Sequence, residues 1–213
     1  MIATTRTLGW LAAAAALSFA SFGVQAQAGK APDALVKEVS GDVLESVKAD
    51  KSIQSGDLKK VIALVDQKVM PYVDFQRMTA SAVGRYWRQA TPAQQKSLQD
   101  EFKLLLVRTY SGALSQVSQE QTIDLKPMRS QPGDTEVVVR TEIRGKGDPI
   151  QLDYRLAKAG DSWKIYDVNV LGVWLVENYR NSFAQEIGAN GIDGLVAKLA
   201  ERNKAAAAGG AKS

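Results

Sequence analysis

Residues 135–171 read TEVVVRTEIRGKGDPIQLDYRLAKAGDSWKIYDVNVL, and the alternation along this stretch decides the fold. Apolar and polar side chains alternate with period 2, the spacing of a strand with one buried face. Turn residues interrupt the pattern at Gly145-Lys146-Gly147-Asp148 and Ala159-Gly160-Asp161, and Pro132-Gly133-Asp134 precedes it. Four strands are predicted, at 121–128, 135–144, 149–158 and 162–171. Such short connections make hairpins, so the sheet is an antiparallel meander. Folding about 145–148 pairs Val137 with Leu156, Val139 with Tyr154, Thr141 with Leu152 and Ile143 with Ile150. Folding about Gly160 sets Tyr154 against Tyr166, Leu152 against Val168 and Ile150 against Val170. One face is then apolar across three strands, which a slipped register would destroy. The other carries Arg140, Glu142, Asp153, Arg155, Asp167 and Asn169 and is expected to be mostly wet.

On either side of the sheet region the period is helical. Leu35, Val39, Val43 and Val47 mark one face of a helix over 33–50. Asp57 caps a second helix, with Leu58, Val61, Ile62, Val65 and Val69 in one stripe, which must stop at Met70-Pro71. A short helix follows from Asp74 to Val83. Thr91-Pro92-Ala93-Gln94 combines an N-cap, an N1 proline and a capping box, and opens a helix running to Gln116. Its middle, from Leu98 through Phe102, Leu105 and Leu106, is apolar nearly all round. After Gly172 a helix over 173–188 is broken at Asn190-Gly191 and followed by a last one carrying Ile192, Leu195, Val196 and Leu199. The fold class is α+β: an antiparallel four-stranded meander covered on one face by helices.

The ends read differently. Arg6, the apolar run Leu8–Phe22 and the small-x-small site Ala26-Gln27-Ala28 have the layout of a cleavable signal peptide over 1–28. This places the mature chain in the periplasm. Residues 29–203 are expected to form one domain, and the Ala/Gly-rich 204–213 a disordered tail. No segment after 28 is apolar enough to span a bilayer as a helix.

Composition excludes much chemistry. The 213 residues include no histidine and no cysteine, so there is no Ser-His-Asp triad, cysteine nucleophile or zinc finger. Neither G-x-x-x-x-G-K-[ST], G-x-G-x-x-G nor G-x-S-x-G occurs. A net charge of +4, scattered among acids, argues against a nucleic-acid partner. No carboxylate cluster has metal-ligand spacing. Asp153 opposite Asp167, with Arg140 across from Asp153, reads as a solvated charge pair rather than an acid/base pair. The apolar sheet face serves either as a filled core or as the wall of a cavity, and composition leaves both uses open.

Three blocks carry a resemblance. Val69-Met70-Pro71-Tyr72-Val73-Asp74-Phe75 is the first; Trp87-Arg88-Gln89-Ala90-Thr91-Pro92 with Gln95 and Phe102 through Tyr110 is the second. The third is Trp163-Lys164-Ile165-Tyr166-Asp167-Val168, then Gly172-Val173, Leu175-Val176 and Asn178-Tyr179-Arg180 through Phe183. In this order and over 33–203 they resemble the MlaC (toluene-tolerance) family. Trp174 departs from the pattern, which has a small residue, usually serine, after Gly-Val. The resemblance implies a fold similar to a nuclear-transport-factor-2-like cone with additional helices. It implies a non-enzymatic periplasmic carrier, without cofactor or metal, that holds a phospholipid by its acyl tails and maintains outer-membrane lipid asymmetry. The implied partners are an outer-membrane lipoprotein with a porin and an inner-membrane ABC transporter bearing a ring of MCE domains.

Alternation then nominates the pocket wall: Val137, Val139, Ile143, Ile150, Leu152, Tyr154, Leu156, Tyr166, Val168 and Val170 from the sheet. Leu105, Leu106 and Tyr110 from the long helix are expected to face them, with Met70, Val73 and Met78 near the mouth. Two other readings remain: a cone-shaped enzyme using Tyr154, Tyr166 and a buried aspartate on a small apolar substrate, or an adaptor with a filled core.

Overall fold

The computed structural model describes residues 29–131 and 133–209; the segment 1–28, expected to be a signal peptide, lies outside them. Helix α1 (Pro32–Ala49) starts on a proline in its first turn, where the missing N–H costs nothing. After the short α2 (Lys51–Gln54), the Asp57 carboxylate accepts the N–H groups of Lys59 and Lys60 and opens α3 (Leu58–Leu64). The chain then widens into a π turn over Val65–Val69 and tightens into a 3-10 turn at Met70–Tyr72, as Pro71 requires. Helix α4 (Phe75–Val83) is capped by Asp74, and α5 (Pro92–Ser111) by the expected Thr91–Gln94 capping box. A 3-10 turn extends α5 over Gly112–Gln116.

The sheet contains β1 (Thr122–Leu125), β2 (Glu136–Arg144), β3 (Ile150–Ala159), β4 (Ser162–Val170) and β5 (Val173–Trp174), all antiparallel and in sequential order. The fifth strand adds to the expected four. Leu171 (φ 52°) and Gly172 (φ 89°) reverse the chain tightly enough for two more residues to pair. All four expected β2–β3 pairs are present.

The β3–β4 register differs from expectation. Tyr154 faces Val168 and Leu152 faces Val170, whereas Leu156 faces Ile165, with a bulge at Arg155/Leu156. Tyr166 is the extra residue, so it joins Asp167 on the outer face instead of facing Tyr154. Its hydroxyl donates to Glu136 Oε2 at 2.9 Å, and Arg77 lies over its ring at 3.7 Å. The outer face is also drier than expected. Asp153 (6% exposed), Asp167 (1%) and Asn169 (5%) are buried there; Asn169 pairs with Trp174 of β5, and Asp167 accepts the Val176 N–H at the start of the last helix.

Helix α6 (Leu175–Gly209) is two helices joined at Gly191 (φ 72°, ψ −178°), where Asn190-Gly191 predicts a break. It continues through 204–209, within the stretch expected to be disordered. Three apolar clusters hold the elements together. An aromatic one centres on Phe102, whose ring meets Phe75, Tyr179 and Phe183 at 5.0–5.8 Å between α4, α5 and α6. A second joins Leu35, Val36 and Val39 of α1 to Val137, Val139, Leu156 and Ile165. A third, around Val47, Ile53, Val61, Leu64 and Val107, ties the other end of α1 to α2, α3 and α5.

Candidate functional site

Between the second and third clusters the packing stops and a cavity of about 270 Å³ opens. Helix α1 covers it with Val36, Val39, Ser40, Val43, Leu44 and Val47. Opposite stand Ile123 of β1, Thr141 and Ile143 of β2, Leu152 and Tyr154 of β3, and Ile165 and Val168 of β4. Leu114 and Val117, beyond α5, and Val69 and Val73, around the π and 3-10 turns, complete the lining. Along β2 and β3 the inner face is thus solid at one end, where Val137, Val139 and Leu156 meet α1, and hollow at the other.

Three lining side chains carry polar atoms. Ser40 donates to the Val36 carbonyl at 2.6 Å and Thr141 to the Leu152 carbonyl at 2.8 Å. Tyr154 stands beside Thr141, and burial pushes its phenol up to about 12, the Thr141 hydroxyl holding back part of the rise. Every other lining residue is Val, Leu or Ile. The chamber therefore offers dispersion contacts and freedom from water, and holds its phenol neutral.

Of the residues nominated from sequence, Val73, Ile143, Leu152, Tyr154 and Val168 line this chamber. Val137, Val139 and Leu156 lie in the solid part of the same face. Met78 and Leu105 are buried in the aromatic cluster, with Met70 and Leu106 packed against it. Tyr110 is on α5 near Tyr179, its phenol raised chiefly by burial. Ile150 and Val170 are half-buried toward the β2–β3 turn, outside the lining, and Tyr166 is on the other face. The α1 contribution was not nominated. Its signal was the valine stripe at four-residue spacing, which is visible in sequence without saying which surface it covers.

The outer face is electrostatically knit and separate. Arg155 donates to Asp167 Oδ2 at 2.9 Å, and Asp167 Oδ1 accepts the Val168 and Val176 N–H groups at 2.9 and 3.1 Å. Burial raises the Asp167 carboxyl, and these partners oppose the rise. Asp153 accepts from Gln151 at 3.0 Å, with Arg140 at 3.9 Å. Neither aspartate lines the chamber, so the buried aspartate that the cone-shaped enzyme would use is on the wrong side of the sheet.

A helix-covered sheet that walls an apolar chamber defines a container for an apolar guest. The family model described as MlaC protein matches residues 37–201, and the chain belongs to the MlaC family. The chain is 26% identical to toluene tolerance protein ttg2D of Pseudomonas putida, over 88% of its own length and 90% of that protein. It is 23% identical to the intermembrane phospholipid transport system binding protein MlaC of Haemophilus influenzae, covering 79% and 80% of the two chains. Among solved structures, a phospholipid-binding protein from Ralstonia solanacearum in complex with a phospholipid superposes with a TM-score of 0.79. Identity is 49%, over 82% of this chain and 98% of that one. The α+β architecture read from the sequence is the one the Ralstonia structure shares.

Proposed function

We propose that this chain is a periplasmic phospholipid carrier that takes up acyl tails in the chamber between α1 and the sheet. The observation that carries the reading is the apolar chamber itself, in a fold shared with a relative at 49% identity that holds a phospholipid. Two acyl tails contain about 30 methylene groups at ~0.8 kcal/mol each, so crossing water bare costs on the order of 20 kcal/mol. Moving from bilayer to an apolar chamber is near neutral, since both are hydrocarbon-like. Such a carrier needs no catalytic group, and direction comes from its partners. The partners we propose are an outer-membrane lipoprotein–porin complex and an inner-membrane ABC transporter with a ring of MCE domains. Residues 1–28 serve as the export signal.

The chamber is just below the ~300–1,000 Å³ of common ligand sites, and a two-tailed lipid belongs at or above the top of that range. Loading therefore requires α1 and the sheet to separate. Native mass spectrometry of the protein purified from a bacterial periplasm, with lipid extraction, tests the reading. Added mass matching one diacyl phospholipid is expected. An apo mass that persists after incubation with phospholipid vesicles overturns it.

A further inference from the structure

Resting on the carrier reading, we infer that Tyr154 reads the linkage of the lipid, donating its phenolic hydrogen to an acyl-ester carbonyl of the cargo. Three hydroxyls border the chamber, and two have given their protons to the protein: Ser40 to Val36 and Thr141 to Leu152, both backbone carbonyls. A third polar group in a wall otherwise made of Val, Leu and Ile carries a desolvation cost that a purely packing role does not justify, since phenylalanine has the same shape. Tyr154 is mid-strand on β3, between Leu152 of the hollow end and Leu156 of the solid end. It therefore marks the boundary of the space a guest can fill.

The Thr141 hydroxyl beside the phenol gives its own proton to the Leu152 carbonyl at 2.8 Å, and the phenol's proton is taken up by no acceptor among the described residues. An arriving ester carbonyl supplies the acceptor that the phenol lacks. An ether-linked lipid has no carbonyl to offer, and leaves the phenol where it was. Burial keeps the group in its donor form throughout the working range. Discrimination thus falls on the linkage between glycerol and chain, a feature shared by lipids with different headgroups.

The test is a competition. The mature protein is incubated with vesicles holding equal amounts of a diester phosphatidylglycerol and its diether analogue of the same chain length, and the two loaded masses are compared. The wild type is expected to favour the diester by about three- to tenfold, the ratio one neutral hydrogen bond supports. Tyr154→Phe is expected to load both lipids equally. Equal loading by the wild type, or a preference that survives in Tyr154→Phe, overturns the inference and leaves the carrier reading standing. Failure of the wild type to load either lipid overturns the carrier reading itself. The wild-type ratio needs no variant, so the inference can fail even if Tyr154→Phe does not fold.

Discussion

The guanidinium of Arg155 is stacked on the indole of Trp174, 3.8 Å from the ring centroid. The ring closes over the ion pair that Arg155 makes with Asp167 and helps exclude water from it. Trp174 takes the place where the family resemblance leads one to expect serine, and it does so on the face opposite the chamber. Trp174→Ser is expected to lower the unfolding free energy by about 1 kcal/mol, the worth of one cation–π contact. The urea midpoint should fall while lipid loading stays at the wild-type level. Reduced loading in a folded variant would mean that the outer face communicates with the chamber.

Two carboxylates should leave opposite marks on stability. Burial lifts Asp167 above its ordinary 3.8, whereas hydrogen bonds from Arg77 and Tyr166 hold Glu136 below its ordinary 4.5. A raised carboxyl binds its proton more readily in the folded state, so its contribution is lost as pH rises from the unfolded value through the folded one. A lowered one contributes above its unfolded value and loses this as pH falls through the folded one. The wild-type minus Asp167→Asn difference in unfolding free energy should therefore shrink as pH rises. The wild-type minus Glu136→Gln difference should grow. Urea titrations between about pH 3 and 6 read both.

Leu152 lies in the hollow part of the sheet, paired with Thr141 and Val170. Leu152→Glu puts a carboxylate against the guest's methylenes, and co-purified lipid is expected to drop by on the order of tenfold or more. Circular dichroism separates this from misfolding. A folded variant that still carries lipid would show that the tails lie elsewhere.

Gly191 holds a conformation that is essentially reserved for glycine, with open space where a Cβ would stand. Gly191→Ala should destabilise by about 1–3 kcal/mol through backbone strain alone. A loss well below that range would mean that the two halves of α6 can realign without the kink.

The sheet was legible because each hairpin has its own turn residues and each strand its own alternation. Together these fix the β2–β3 register from Val137–Leu156 to Ile143–Ile150. The β3–β4 register escaped at two points: the turn closes over Gly160-Asp161, pairing Ala159 with Ser162 rather than centring on Gly160, and no residue type announces the bulge that makes Tyr166 the extra residue. The partition of apolar residues into core and chamber escaped for another reason. Val139 and Ile143 are equivalent by alternation, and only the way α1 lies across them leaves one buried solidly and the other beside a void. The burial of Asp167 depends likewise on Trp174 and Val176 folding back, a tertiary contact that follows no periodicity. The capping box at Thr91 and the break at Gly191 were legible because both are set by residues within one turn of chain.

The aromatic cluster around Phe102 is complete without anything in the chamber. It fastens α4, α5 and α6 to one another, and none of its buried members borders the void. Handing over a guest thus takes nothing away from the part of the molecule that keeps it in shape. Emptying the chamber bares only the second and third clusters, which lend Val36, Val39, Ile165 and Val47 to its wall, and leaves the aromatic frame whole.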